Sequence, residues 1–351
     1  MSLLDASIPR TSACFDDPAL IASAARTAVG AQADVCEVRE GHLRLSLQPV
    51  HGAAAREVCI AWRLHGPADA PCVAVLGGIS ADRQVSGPTG WWLQQTGAGG
   101  ALDTRHWRVL GIDWLDAEQL GAPAVETSDQ AQALAGVLDA LRIPRLHALV
   151  GASYGAMVGL AFAVRDPQRV ARLIAIAGAH RPHPLAAALR AVQREIVRLA
   201  LDGGDAARGV ALARQLAMIG YRSPRELGKR FAAAPTLTGA GVRVAAQDWL
   251  DAAGQSFARR FEPQRFVALS ESIDLHRIAP EDVRVPTTLI GFGTDQLVPL
   301  ADLCALQRGL GAPCELHVLD SDYGHDAFLK EHVTLGALLR AALAQTETCR
   351  A

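Results

Sequence analysis

The chain has 351 residues, half of them apolar, enough for a large buried core in one or two domains. Its net charge of −2 is dispersed, which excludes the basic patch of a nucleic-acid binder and the polybasic segment of a membrane-surface protein. Seven scattered cysteines (Cys14, Cys36, Cys59, Cys72, Cys304, Cys314, Cys349) include no Cys-x-x-Cys, which argues against a disulfide frame or a zinc site and for a reducing compartment.

The N-terminal residues include Asp5, Arg10, Asp16 and Asp17 where a signal peptide needs an apolar core, and no uncharged apolar run is long enough to span a bilayer. The expectation is a cytoplasmic globular protein. Residues 1–40 are Ala-rich and carry no clear pattern. Residues 43–50 and 58–64 read as an antiparallel hairpin. Residues 72–76 and 107–115 read as buried strands, the first ending in Gly77-Gly78. A helical pattern covers 128–143, with Ser128 as its N-cap. Residues 146–150 and 170–177 are the next strands. Strands alternating with helices predict a mostly parallel sheet of α/β type. From 184 to 260 the rhythm is helical, with Leu189, Val192, Ile196 and Leu199 at steps of three and four and no strong strand. Strands return at 287–292 and 315–319, and one amphipathic helix is expected over 327–343. The division expected is a core over 1–182 and 263–351, split by a helical cap over 183–262.

The most informative segment is Gly151-Ala152-Ser153-Tyr154-Gly155, set between a strand and a helix. Strand, sharp turn and helix make this a nucleophile elbow, with glycines where side chains would clash. A serine hydroxyl is a weak nucleophile and needs a base and a group that orients the base. Sheet-based hydrolases supply them in the order Ser, Asp, His. Here Asp295 follows one late strand and His325 the next. Asp295 alone also fits a turn residue, and His325 alone a loop histidine partnered by Asp322 or Asp326. His147, within a strand, reads as structural. The oxyanion hole is expected from the Tyr154 amide and the Ile79 amide, with Gly78 next after Ile79.

With these residues placed, the chain resembles the homoserine O-acyltransferases, an acyl-CoA-using branch of the α/β-hydrolase fold. The likeness runs from about Val73 to the C-terminal helix. Gly324-His325-Asp326-Ala327-Phe328-Leu329 looks like the family's histidine motif. Gly90-Trp91-Trp92, Gly97 and Ala101-Leu102-Asp103-Thr104 look like its segment after the oxyanion loop. Trp249-Leu250, Arg260-Phe261 and Phe266 to Leu269 resemble its returning cap segment, and Ile219-Gly220-Tyr221-Arg222-Ser223 its substrate-arginine motif.

The resemblance implies an α/β-hydrolase fold with an inserted helical cap. It implies ping-pong acyl transfer from acetyl-CoA or succinyl-CoA to the homoserine hydroxyl, in methionine biosynthesis. Ser153, Asp295 and His325 become nucleophile, orienting acid and base. Arg222 would hold the homoserine carboxylate, and Asp326 its ammonium group. A planar guanidinium fork suits a carboxylate. The implied partners are small molecules, with acyl-CoA as co-substrate, no metal, no nucleic acid, no membrane, and a homodimer through the cap. The chain departs from the family in three places. Its oxyanion loop is Gly-Gly-Ile-Ser where His-x-Leu-Thr-Gly is common. A Gly-Ser-Thr-Gly-Pro-like loop is missing, residues 116–126 being short and different. Tyr154 stands where methionine is usual. A serine O-acyltransferase, a serine esterase on the same fold and a non-catalytic binding protein remain the alternatives. A succinyl donor would call for an extra cation at the acyl pocket. Arg83 and Arg194 are among the arginines that could supply it. Arg194 also fits a structural role in the cap.

Overall fold

The computed structural model describes residues 37–239 and 241–345. Cys14, Cys36, Cys349 and the charged N-terminal residues noted above lie outside the described residues. Strands β1 (Val38–Leu47) and β2 (Arg56–His65) form the expected hairpin, pairing antiparallel in a register that sets Leu43 against Ile60. They continue into β3 (Cys72–Leu76), β4 (Arg108–Ile112), β5 (Ala148–Ala152) and β6 (Leu173–Ile176). Helix α1 (Thr127–Ala140) precedes β5, and α2 (Tyr154–Arg165) follows it.

Between β6 and the next core strand stand α3 (Pro184–Asp202), α4 (Ala206–Tyr221) and α5 (Pro224–Arg230). A short antiparallel hairpin follows, β7 (Thr236–Thr238) with β8 (Gly241–Arg243), then α6 (Gln247–Ala258) and α7 (Pro263–Leu275). This stretch has its own small core of Val197, Val210, Ala213, Phe257 and Phe266. The sheet resumes with β9 (Thr287–Phe292), α8 (Leu300–Gly309), β10 (Cys314–Leu319) and α9 (His332–Ala344).

The main sheet has eight strands in the order β1-β2-β4-β3-β5-β6-β9-β10. From β4 to β10 all neighbours are parallel. Parallel strands covered on both faces read as continuous apolar runs, and β3, β5, β6 and β9 are buried throughout. Ala74 and Leu76 point to one face and meet Leu134 and Phe162 of α1 and α2. Val73 and Val75 point to the other and meet Leu335 and Leu339 of α9. Register then sets the chemistry. Leu76 lies opposite Gly151, so β3 and β5 release their loops side by side. Leu319 lies opposite Phe292, so β9 and β10 do the same. All four loops open at the carboxyl edge of the sheet, where such folds bind ligands.

Four local expectations are corrected. The N-cap of α1 is Glu126, not Ser128, because Asp129 reaches back to accept from the Glu126 N–H at 2.8 Å. The strand before the elbow begins at Ala148, Leu146 making only an isolated bridge with Val170. The β7–β8 hairpin was not foreseen; its strands, Thr-Leu-Thr and Gly-Val-Arg, are three residues each, too short for their alternation to signal a strand. The expected helix over 327–343 breaks at Glu331 into Ala327–Lys330 and α9.

Candidate active site

Ser153 sits between β5 and α2 at φ 56° and ψ −117°, a positive φ that is uncommon for a residue with a side chain. Such strain persists only where its surroundings enforce it. A Cβ on Gly151 would lie 2.2 Å from the Gly155 carbonyl oxygen, and one on Gly155 2.2 Å from that of Leu76. The strand, turn and helix therefore pack without room for side chains, and the serine hydroxyl is thrown to the sheet edge.

His325 Nε2 lies 2.8 Å from Ser153 Oγ, and His325 Nδ1 lies 2.7 Å from Asp295 Oδ2. A carboxylate only accepts, so Nδ1 carries the proton and Nε2 is left to accept from the serine. Asp295 is itself held, its Oδ1 accepting from the Leu297 N–H at 2.8 Å and the Val298 N–H at 3.1 Å. The two loops are stitched together by Thr294. Its hydroxyl donates to the Ser321 carbonyl at 2.6 Å and accepts from the Gly324 N–H at 3.2 Å. Burial pulls the His325 pKa down, but the charge and hydrogen bond of Asp295 outweigh it and the net direction is upward. His147 is elsewhere, its Nε2 on the Leu343 carbonyl at 2.9 Å and its ring against Trp107.

Among the described residues neither the Ile79 nor the Tyr154 amide has a hydrogen-bond acceptor, and both residues line the pocket that holds Ser153 and His325. The loop carrying Ile79 is held from two sides. The Gly155 N–H donates to the Gly77 carbonyl at 2.8 Å, and Trp114 Nε1–H donates to the Gly78 carbonyl at 3.0 Å. In a trans peptide C=O and N–H point opposite ways, so fixing Gly78 O turns the Ile79 N–H away from Trp114. Tyr154 completes the brace. Its ring meets Trp114 edge-on at 4.9 Å and its hydroxyl lies 2.7 Å from Ser272 Oγ on α7. Sequence reasoning gave this side chain no role and passed over Trp114 altogether.

Arg222 and Asp326 are both brought close to His325, but against each other. Arg222 Nε lies 2.9 Å from Asp326 Oδ2, and Arg222 Nη1 lies 3.1 Å from Glu226 Oε1. The guanidinium is buried between Trp249 and Tyr323. Neither charge lines the pocket as a free group, which differs from the expectation of two separate substrate contacts. Buried opposite charges pair because an isolated one is costly. Neither arginine suggested for an acyl carboxylate stands free. Arg83 pairs with Asp113 at 2.6 Å and Arg194 with Asp274 at 2.6 Å. Arg190, which the sequence did not single out, lines the pocket and likewise pairs with Asp274, at 2.6 Å.

No group of His, Cys, Asp and Glu among the described residues could hold a metal ion. No helix among the described residues is long and apolar enough to cross a membrane.

A family model described as the α/β-hydrolase fold matches residues 85–332. A homoserine O-succinyltransferase from Xanthomonas campestris is 46% identical over 99% of this chain and 92% of its own length. A homoserine O-acetyltransferase from Clavibacter michiganensis is 30% identical over 83% of this chain and 89% of its own. The chain belongs to the homoserine O-acyltransferase family. Its architecture is accordingly an α/β-hydrolase fold, a mostly parallel sheet flanked by helices. Among solved structures, a homoserine O-acetyltransferase from Bacillus anthracis superimposes with a TM-score of 0.78 at 17% identity, over 88% of this chain and 98% of that one. Esterase E22 superimposes with 0.77, also at 17% identity, over 88% of this chain and 100% of that one. Transferase and esterase share the fold, so the fold alone does not separate them.

Proposed function

We propose that this protein moves an acetyl or succinyl group from acyl-CoA to the side-chain hydroxyl of homoserine, in methionine biosynthesis, by a ping-pong route. The observation that carries the reading is the Ser153–His325–Asp295 chain of contacts at 2.8 and 2.7 Å, in a member of this family. His325 Nε2 takes the Ser153 proton as Oγ attacks the thioester carbonyl. The Ile79 and Tyr154 amides receive the developing oxyanion. The C–S bond breaks, the CoA thiolate leaves with the proton from His325, and the acyl group stays on Ser153 as an ester. His325 then deprotonates the homoserine hydroxyl, which attacks the ester and frees the serine. Asp295 holds the imidazole tautomer throughout.

The Arg222–Asp326 pair supports a zwitterionic acceptor. Arg222 is shared between Asp326 and Glu226, so homoserine, with one charge of each sign, can set its carboxylate on Arg222 and its ammonium on Asp326 without leaving a buried charge alone. Residues 183–262 would act as a cap between the core segments 1–182 and 263–351, keeping water from the acyl-enzyme. Cap helix α3 exposes Leu185, Val192 and Leu199 at steps of seven, which supports a homodimer through this face. The setting that fits these substrates is the cytoplasm. A serine acceptor is shorter by one methylene, a difference that a pocket discriminates only modestly.

The test is product analysis with acyl-CoA, with and without homoserine. Formation of O-acyl-homoserine, and much slower CoA release without homoserine, is expected. Hydrolysis at a rate that homoserine does not change would make the protein an esterase.

A further inference from the structure

We propose that Glu226 is a positioning residue of the acceptor site, holding Arg222 so that one edge of the guanidinium is left for the acceptor's carboxylate. The inference rests on the reading above, in which Arg222 takes the carboxylate of homoserine and Asp326 its ammonium group.

Local structure brings Glu226 to this place. Arg222 directly precedes Ser223, the N-cap of α5, and Ser223 Oγ accepts from the Glu226 N–H at 3.0 Å. Glu226 is thereby fixed in the first turn of α5, and both it and Arg222 are buried. The turn is also tied to the loops that carry the triad. Ser223 Oγ donates to the Asp322 carbonyl, and Gln296 Nε2, beside Asp295, donates to the Arg222 carbonyl at 3.1 Å. These bonds hold the Arg222 backbone, so side chains decide which edge of its guanidinium is presented.

Two faces and one end of the guanidinium are taken. Trp249 and Tyr323 lie against it, their ring centres 5.8 and 5.9 Å from Cζ. Both of its hydrogen bonds leave from Nη1, to Glu226 Oε1 at 3.1 Å and Oε2 at 3.3 Å. Nε is different. Asp326 Oδ2 is 2.9 Å away, yet the buried Nε–H makes no hydrogen bond among the described residues. An N–H so close and still unaligned is held by charge alone. A buried donor without an acceptor is rare and costly. Nε–H and the adjacent Nη2–H run parallel and fit the two oxygens of one carboxylate. Glu226, by taking Nη1, turns this edge toward the ligand.

The order of charges gives an independent argument. Arg230 Nη1 lies 3.7 Å from Glu226 Oε1, so Arg230, Glu226, Arg222 and Asp326 alternate in sign. A zwitterion that enters between Arg222 and Asp326 preserves the alternation, and Glu226 keeps Arg222 paired while Asp326 is exchanged for the ligand. Without Glu226 the guanidinium is free to rotate and its edge is no longer fixed.

The experiment uses the full chain and compares homoserine with 3-aminopropan-1-ol, the same acceptor without its carboxylate. Glu226→Leu is expected to raise the KM for homoserine roughly 30-fold, the scale of one charge-assisted contact. Glu226→Gln keeps an oxygen for Nη1 without the charge and is expected to raise it about fivefold, so it carries the test if Glu226→Leu does not fold. Acylation of Ser153 by acetyl-CoA or succinyl-CoA, followed by intact mass with no acceptor present, is expected to change less than about twofold, and so is kcat/KM for aminopropanol. The preference for homoserine over aminopropanol therefore falls as the KM rises. An unchanged KM for homoserine in both variants would overturn the proposal. So would equal losses for the two acceptors, or acylation slowed in step with them, since both would reduce Glu226 to a packing role. A wild-type protein that is not acylated, or whose acyl group homoserine does not accept, is a different failure, that of the acyl-transfer reading itself.

Discussion

Ser153 acts through geometry before chemistry. Its positive φ aims Oγ at His325, and the carboxylate of Asp295 fixes which imidazole nitrogen carries the proton. That pairing also sets a pH dependence. The His325 pKa is raised above its ordinary value of 6.5, so the imidazole holds a proton over a wider range than free histidine. Only the neutral form accepts from serine. Acylation should therefore rise with pH and level off above an inflection higher than 6.5. Stopped-flow acylation across pH 5–9 checks it, and an inflection below the ordinary value would contradict it. All three residues were legible because each follows a strand, or a strand and its short loop, in a fixed order. Arg190 was not legible, because only the folded helix shows which of several arginines faces the pocket.

At the scale of elements, the register of four parallel strands brings two pairs of loops together. Alternating apolar runs and glycine turns announced those strands. The brace behind the oxyanion loop was hidden, since Trp114, Tyr154 and Ser272 come from three distant segments. Trp114→Phe keeps the ring against Tyr154 and removes the N–H on Gly78. It should lower kcat by about tenfold, by loosening the Ile79 amide, with little change in the KM for homoserine. A thermal midpoint that stays put while kcat falls would mark positioning rather than general damage. Unchanged kcat would show that the Ile79 amide does not depend on this bond. The hairpin β7–β8 and the break at Glu331 escaped the sequence for a simpler reason. The hairpin's strands are three residues each, too short for a period despite Gly239 and Gly241 at the turn, and the break at Glu331 carries no proline.

At the scale of the molecule, helices α3 to α7 stand between β6 and β9, and the pocket is lined from both the helices and the sheet edge. One helix does two things. α3 presents Arg190 and Gln193 inward and Leu185, Val192 and Leu199 outward. If the outward row is the dimer face, Leu199→Glu should convert a dimer to a monomer in sedimentation, because two buried carboxylates would meet across it. An unchanged dimer would place the interface elsewhere. The central claim is that an acyl group pauses on Ser153 before it reaches homoserine. Intact-mass measurement after mixing with succinyl-CoA, followed by a homoserine chase, tests it most directly. The account predicts a single acyl adduct on Ser153, lost on the chase as O-acyl-homoserine appears, and absent from Ser153→Ala. An adduct that persists in Ser153→Ala, or one that homoserine does not discharge, would contradict it.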